Sequence, residues 1–281
     1  MADMGVTETS ATGLALVAAM VQSQLIVNAE LMFTIQDESA RAVKGAKSIA
    51  FPKTGALDPT EKAENTATTA QVLTYAVDTM NLDQHFQTLV RLEDIAAVQS
   101  ILNVESDIIE RAGKGMAKKY DTAIYTALKA SASASAPDHT VADYAASGAI
   151  TRAKILANRK LLNDQNVPKS ERFMVISTEQ ESELLNIDGF VDADKYGSRE
   201  SLLNGEIGRL FGFTVICTTT CESDVTLYYH RSALAFARQV EPTWERQRAD
   251  LAYLADDYSL SSLFGVKAMD AGKRIVVASG S

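Results

Sequence analysis

Residues 157–177 read A-N-R-K-L-L-N-D-Q-N-V-P-K-S-E-R-F-M-V-I-S. The first half closes a helical stretch, 149–164, that has to stop before Val167-Pro168 because proline cannot continue a helix. The second half, 171–177, is a short apolar run with the length and composition of a buried strand. A helix feeding directly into a buried strand sets the class, a mixed α+β chain. The signals downstream agree. Residues 178–186, T-E-Q-E-S-E-L-L-N, read as a helix with Thr178 as N-cap and Glu181 three positions on, the capping-box spacing. Residues 186–197 read as a loop. G-E-I-G-R-L-F-G-F-T-V-I-C (205–217) reads as a glycine turn feeding a strand, 226–230 as a strand and 232–239 as a short helix. Strands at 251–255, 258–268 and 274–278 complete the tail.

Upstream of the quoted stretch, S-A-S-A-S-A-P-D-H (131–139) is low-complexity and reads as a linker. Before it, Ile101, Val104, Ile108, Ala112, Met116, Tyr120, Ile124 and Leu128 recur every three or four residues, the amphipathic helical period. Between Glu105 and Leu128 that helix spans roughly 35 Å at about 1.5 Å per residue. Gly113 and Gly115 inside it cost about 1 kcal/mol each. Residues 85–94 read as a strand.

Residues 31–45 read as a helix ending at Gly45, with Arg41 and Lys44 in its last turn. S-I-A-F-P (48–52) is a short strand stopped by Pro52, and 69–80 is rich in β-branched and aromatic types. The polar stretch between them makes the pair a projecting hairpin. Leu73, Tyr75 and Val77 share one of its faces and Val72, Thr74 and Asp78 the other. A lone two-stranded hairpin is marginal in water, so this one needs a partner. The same holds for 9–29, an uncharged run containing Leu14, Leu16, Leu25 and Ile26. It has neither the basic start of a signal peptide nor an uninterrupted apolar span, and reads as an arm lying on a protein surface.

The 281 residues suggest about two domains. With 46% hydrophobic and 22% charged residues, the chain is neither disordered nor fibrous nor membrane-spanning. Its net charge of −9 disfavours sequence-independent binding to nucleic acid. An acidic wall could still enclose a packed polymer and leave it mobile.

The residues offer no chemistry. Cys217 and Cys221, the two cysteines, read as ordinary thiols near a strand end. His85, His139 and His230 have no partner at helical chelating spacing. G-A-K-S (45–48) is not a phosphate loop, and the glycines of 205–212 precede a strand where a nucleotide fingerprint would follow one. Asp188, Asp192 and Asp194 lack the glycine and glutamate of a calcium loop and read as a solvated acidic loop. No catalytic, cofactor-binding or metal residue, and no cofactor, is expected.

Several segments, in order, resemble the major capsid proteins of tailed double-stranded DNA bacteriophages. They are V-K-G-A-K-S-I-A-F-P-K-T-G (43–55), L-V-R-L-E-D-I-A-A-V-Q-S (89–100), K-K-Y-D-T-A-I-Y (118–125), the stretch 157–177, D-G-F-V-D-A-D-K-Y-G (188–197) and G-E-I-G-R-L-F-G-F-T-V (205–215). The resemblance runs over about 40–280. It implies an α+β Hong Kong 97-like phage capsid fold. Its parts would be an N-terminal arm (1–45), an extended β-hairpin loop (46–80), a peripheral domain (81–134 and 239–263) with a spine helix at about 105–130, and an axial domain (135–238 and 264–281). It also implies self-assembly as hexamers and pentamers into an icosahedral virion shell around DNA, without sequence-specific binding or a membrane. Assembly would take place in the host cytoplasm.

The implied partners are a separate scaffolding protein (only some forty residues precede the loop), a portal protein and a decoration protein. Inter-subunit contacts are expected at Leu14, Leu16, Leu25, Ile26, Leu73, Tyr75 and Val77. Some relatives crosslink a loop lysine to a peripheral asparagine; Lys53 and Lys62 lie in the loop, but 239–263 contains no asparagine, so crosslinking is not expected. An encapsulin-like protein container shares the implied fold, and a soluble oligomeric α+β enzyme is the remaining alternative.

Overall fold

The computed structural model describes residues 29–55, 57, 59, 61–62, 64–65, 67, 70–94, 104–135, 140–141, 150–185, 208–249 and 254–279. The fold is arranged about one long helix, α1 (Val104–Ser135). Its buried stripe is Ala112, Met116, Tyr120, Ile124 and Leu128, as the period requires. Ile109, Ala117 and Tyr125 are also buried and widen it. The stripe is wide because α1 serves two sheets within one continuous core.

The first sheet has four strands. In chain order they are β1 (Gln36–Asp37), β4 (Gln84–Glu93), β10 (Leu234–Arg248) and β11 (Ala255–Ala268). Across the sheet they run β1-β10-β11-β4. β4 alternates strictly. His85, Gln87, Leu89, Arg91 and Glu93 face outward, while Phe86 and Leu92 pack toward α1. Trp244, Tyr258, Leu260 and Phe264 complete the α1-facing side. At the far end of the sheet, exposed ion pairs tie three strands together: Arg91 to Asp257, Arg246 to Asp256, and Arg248 to both Asp94 and Asp256. The arginine hydrogen bonds hold Asp94, Asp256 and Asp257 below the ordinary carboxylate range. These ties therefore persist above that range and are lost as pH falls through the depressed values.

The second sheet has six strands. In chain order they are β5 (Thr140–Val141), β6 (Arg172–Ile176), β7 (Arg209–Leu210), β8 (Phe213–Cys217), β9 (Val225–His230) and β12 (Ile275–Ser279). Across the sheet they run β5-β12-β9-β6-β8-β7. β9 is buried along its whole length, as a central strand covered on both faces should be. Leu227 and Tyr229 face α1; Tyr228 faces α2 (Arg152–Asp164) and α3 (Thr178–Leu185).

The turn at 165–168 explains why the decisive stretch stops where it does. Asn166 takes the left-handed conformation (φ 56°), where asparagine is tolerated better than most residues. Its N–H donates to Asn163 O at 2.9 Å, and Val167 N–H donates to Leu162 O at 3.1 Å. Val167 then packs with Leu162. Buried Arg172 donates to the carbonyls of Val167 and Pro168 at 2.6 and 2.7 Å.

Outside the hairpin, four sequence expectations need correction. Residues 31–45 are not a helix. They form two single 3-10 turns (Met32–Thr34 and Ser39–Arg41) around β1. Pairing with β10 and burial of Leu31 and Ile35 override the local signal. Residues 232–239 become a turn and the start of β10, whose first four residues are all buried. The low-complexity 131–135 segment is not linker but the last turns of α1. Alanine favours helix, and Ser131 Oγ donates back to Leu128 O at 2.9 Å. The capping box of α3 sits one residue earlier than expected. Ser177 N–H donates to Gln180 Oε1 at 3.0 Å and Gln180 N–H to Ser177 Oγ at 3.4 Å, while Glu181 accepts from the Cys217 thiol. The loop at 186–197, its three aspartates and His139 lie outside the described residues.

Candidate assembly surface

The hairpin consists of β2 (Ser48–Thr54) and β3 (Tyr75–Asn81), paired antiparallel from Ser48↔Asn81 to Thr54↔Tyr75. Pro52 does not stop β2; it sits inside the strand opposite Val77. A two-stranded ribbon has two free edges, so a residue without an N–H costs nothing where it faces outward. The two faces differ in character. Ile49, Phe51 and Met80, with Leu82 just beyond, form a root cluster against Ala235 and Ala237 of β10. Arg41 stacks over Phe51 at 4.6 Å and donates to Ala50 O at 3.2 Å, a cation over the ring face. At Gly265 an added Cβ would collide with the carbonyl of Asn81. The exit of β3 therefore crosses β11 at backbone contact, and only glycine fits.

The other face of the hairpin is open. Ala50, Pro52, Thr54, Tyr75, Val77 and Thr79 all lie on it and are exposed; Tyr75 is 74% and Val77 60% accessible. Of the expected contact residues, the structure brings Tyr75 and Val77 together. Leu73 precedes β3 and is half-buried. Leu14, Leu16, Leu25 and Ile26 lie outside the described residues. Strand parity reveals Tyr75 and Val77. Reading Pro52 as a strand terminator hides it, although the alternation of Ile49, Phe51 and Lys53 already places it on the Tyr75 face. Leu89, 63% exposed on the outward face of β4, is a further large apolar residue in water.

The root of the arm is firmly held. Asp121 of α1, buried, accepts the N–H groups of Glu30 and Leu31 at 3.0 and 3.1 Å. Burial pushes its carboxyl above the ordinary range even though the backbone N–H groups favour the ionised form. Asp121→Ala leaves those donors without an acceptor and is expected to lower stability by about 2 kcal/mol, with Asp121→Asn losing less because one carbonyl oxygen remains. Urea denaturation measures this, and an unchanged midpoint for Asp121→Ala would remove the anchor assignment.

The groups with chemical potential are quiet. Burial pushes the Cys217 and Cys221 thiols up to about 11 and about 12, so both are neutral thiols at neutral pH. His230 accepts from Ser232 N–H at Nδ1 (3.1 Å), and burial holds its pKa below the ordinary value. Among the described residues, no group of three His, Cys, Asp or Glu could hold a metal ion, and no helix is long and apolar enough to cross a membrane.

A helix shared by two sheets and a hairpin that carries Tyr75 and Val77 into solvent are the main features of the described residues. The family model "Phage capsid protein" matches residues 29–274, and the chain belongs to that family. Its role is structural, as a coat-forming component of a phage particle. No curated protein sequence is significantly similar to it.

Among solved structures, one from Mycobacterium phage Che8 is 23% identical, with TM-score 0.71, over 88% of this chain and 90% of that one. The capsid of Cyanophage P-SCSP1u is 15% identical, with TM-score 0.74, over 88% of this chain and 86% of that one. A virus-like particle from Pyrococcus furiosus is 8% identical, with TM-score 0.63, over 94% of this chain and 98% of that one. These likenesses establish the fold, the Hong Kong 97-like capsid fold anticipated from the sequence.

Proposed function

We propose that the chain is the major capsid subunit of a closed icosahedral shell, built of hexamers and pentamers, around double-stranded DNA. The observation that carries this is the hairpin: its apolar root is buried on one face against its own body, and its other face is open at Pro52, Tyr75 and Val77. Burying a large apolar side chain is worth roughly 1.5–3 kcal/mol, so one hairpin contact repeated at every subunit closes a shell from individually weak contacts. On this reading the hairpin face packs on the peripheral part of a neighbouring copy, and the arm residues Leu14, Leu16, Leu25 and Ile26 do the same. On the same reading Leu73, two residues before Tyr75, belongs to the hairpin contact.

The domain division follows the same reading. On it, 81–134 and 239–263, which hold β4, nearly all of α1 and most of β10 and β11, are the peripheral domain, and 135–238 and 264–281, which hold the six-stranded sheet with α2 and α3, are the axial domain. A separate scaffolding protein, a portal protein and a decoration protein are the partners this role calls for. The subunit does no covalent chemistry on it. Sedimentation and negative-stain microscopy of the expressed chain, alone and with its neighbouring reading frames, test the proposal. Closed particles or isolated capsomers support it, and a small compact oligomer under every condition refutes it. Nucleic-acid content of the particles separates a DNA shell from a protein-cargo container.

A further inference from the structure

Just outside the apolar root, the hairpin meets the body through an ion pair. Lys53 of β2 lies between two carboxylates, Asp78 on β3 and Asp270 on the connection between β11 and β12; Lys53 Nζ to Asp270 Oδ1 is 2.8 Å. Lys53 and Asp78 share the inward face of the hairpin, next to Phe51. Asp270 is held from behind: its Oδ2 meets Arg274 at 2.6 Å. Arg274 in turn donates to Ser232 Oγ at 2.5 Å, and Ser232 Oγ is 2.8 Å from His230 Nδ1 at the end of β9. One polar chain therefore runs from the hairpin to the end of β9, a central strand of the six-stranded sheet.

Asp270 itself has a left-handed backbone (φ 53°), in a short turn ended by Gly272 (φ 79°). A Cβ added at Gly272 would stand 2.8 Å from Ser131 O of α1, so the turn needs glycine there for space as well as for conformation. The turn is thus wedged against the end of the spine helix and gives Asp270 a fixed position. Beside it is open space: a cavity of about 610 Å³ separates Lys53 and Asp78 from residues 165–168, with Asp270, Lys273 and Arg274 also lining it.

We propose that Asp270 is the pivot of an ionic latch with Lys53 that sets the angle of the hairpin, and that opening the latch lets the hairpin swing about its apolar root into the adjacent cavity. The groups facing the latch are Lys53 and Asp78 from the hairpin, Lys273 and Arg274 from the connection, and His230 at one remove through Ser232. Burial works against the charged form of Asp270, but the Lys53 hydrogen bond and the Arg274, Lys53 and Lys273 charges outweigh it and hold its carboxyl below the ordinary value. Burial likewise works against charged Lys53, yet its two carboxylate partners raise its pKa. The sign follows for each group. The latch is intact from above the ordinary carboxylate range up to the ordinary lysine range; it opens in acid as pH falls through the depressed value of Asp270, and in alkali as pH rises through the raised value of Lys53.

Hydrogen exchange on the unassembled full chain tests this. In Lys53→Met and in Asp270→Asn, the hydrogen-bonded amides of the outer rungs (Lys53, Gly55 and Ala76) are expected to exchange about fivefold faster than in the parent chain, with the double variant no faster than either single one. Acidifying the parent chain through the depressed value of Asp270 reproduces the fast exchange, after correction for intrinsic rates, and has no such effect on Asp270→Asn. Parent-like protection in both single variants, or additive effects in the double, overturns the latch. Loss of protection spreading into β9 and β12 overturns it too, since Asp270 would then support the fold and not the hairpin angle. The reading as a shell subunit gives the latch its use but not its test: exchange in the unassembled chain is decided whether or not shells form.

Discussion

Tyr75→Asp together with Val77→Asp abolishes shell formation and leaves the subunit folded. Both residues stand in water in the isolated chain, so charging them removes almost nothing from its own core. Their cross-strand neighbours Thr54 and Pro52 are exposed as well, and neither is disturbed. In the assembled state the same two positions would lie against apolar surface of another copy. An unpaired carboxylate buried there costs several kilocalories per mole unless it stays protonated. The penalty recurs at every subunit, so assembly fails well before the fold does. Sedimentation velocity reads the loss of particles and thermal unfolding of the unassembled chain reads the intact fold. Parent-like shells from the double variant would show that the open face of the hairpin is not an assembly contact.

Tyr120→Ala is the change expected to damage the subunit most. Tyr120 is fully buried in the middle of α1 and meets Phe236 and Phe264 edge-on, with ring centroids 5.5 and 4.7 Å away. Its hydroxyl is 2.6 Å from Ser262 Oγ, and Ser262 donates onward to Val240 O at 2.9 Å, which makes Tyr120 the donor to the serine. Truncation removes the aromatic contacts, leaves a cavity between helix and sheet, and takes away the hydrogen bond that Ser262 accepts. The expected loss is about 3–5 kcal/mol, a large share of the stability of any domain. Tyr120→Phe keeps the ring and gives up only the hydrogen bond, about 1 kcal/mol. Urea midpoints of the two variants separate these effects; equal, small shifts would mean that α1 does not carry the four-stranded sheet through this residue.

The parts of the fold legible in the sequence are those whose pattern is set by one neighbour. β4 alternates because one side faces α1 and the other faces water. α1 shows its stripe because a helix on a sheet buries one face. The Asn166-Val167-Pro168 stop works locally, through hydrogen bonds back to Leu162 and Asn163. What could not be read is structure imposed from a distance. Residues 31–45 and 232–239 have acceptable helical composition, but each is held by strand partners remote in the chain, through β1 on β10 and β10 on β11. Ser131 to Ser135 look like a linker because serine and alanine alternate, yet the helix they continue is already nucleated, and propagation is easy. Thr178 and Ser177 are equally good caps by composition; only the position of Gln180, buried beside Ser223 O, selects the serine.

The candidate surface was legible in part for the same reasons. Tyr75 and Val77 follow from parity in a strand of favourable composition. Pro52 does not, because a proline reads as a terminator unless the strand is known to lie in a ribbon with open edges. The latch at Asp270 has no sequence signal at all: its partners, Lys53, Asp78 and Arg274, come from separate elements and meet only once the hairpin lies over β11.

The most direct test is an electron cryo-microscopy map of particles assembled from the full chain, at a resolution that shows side chains. The account predicts a closed shell of hexamers and pentamers in which Pro52, Tyr75 and Val77 of each hairpin are covered by a neighbouring copy. A closed shell in which that face remains in solvent, or a particle held together by other surfaces alone, would contradict it.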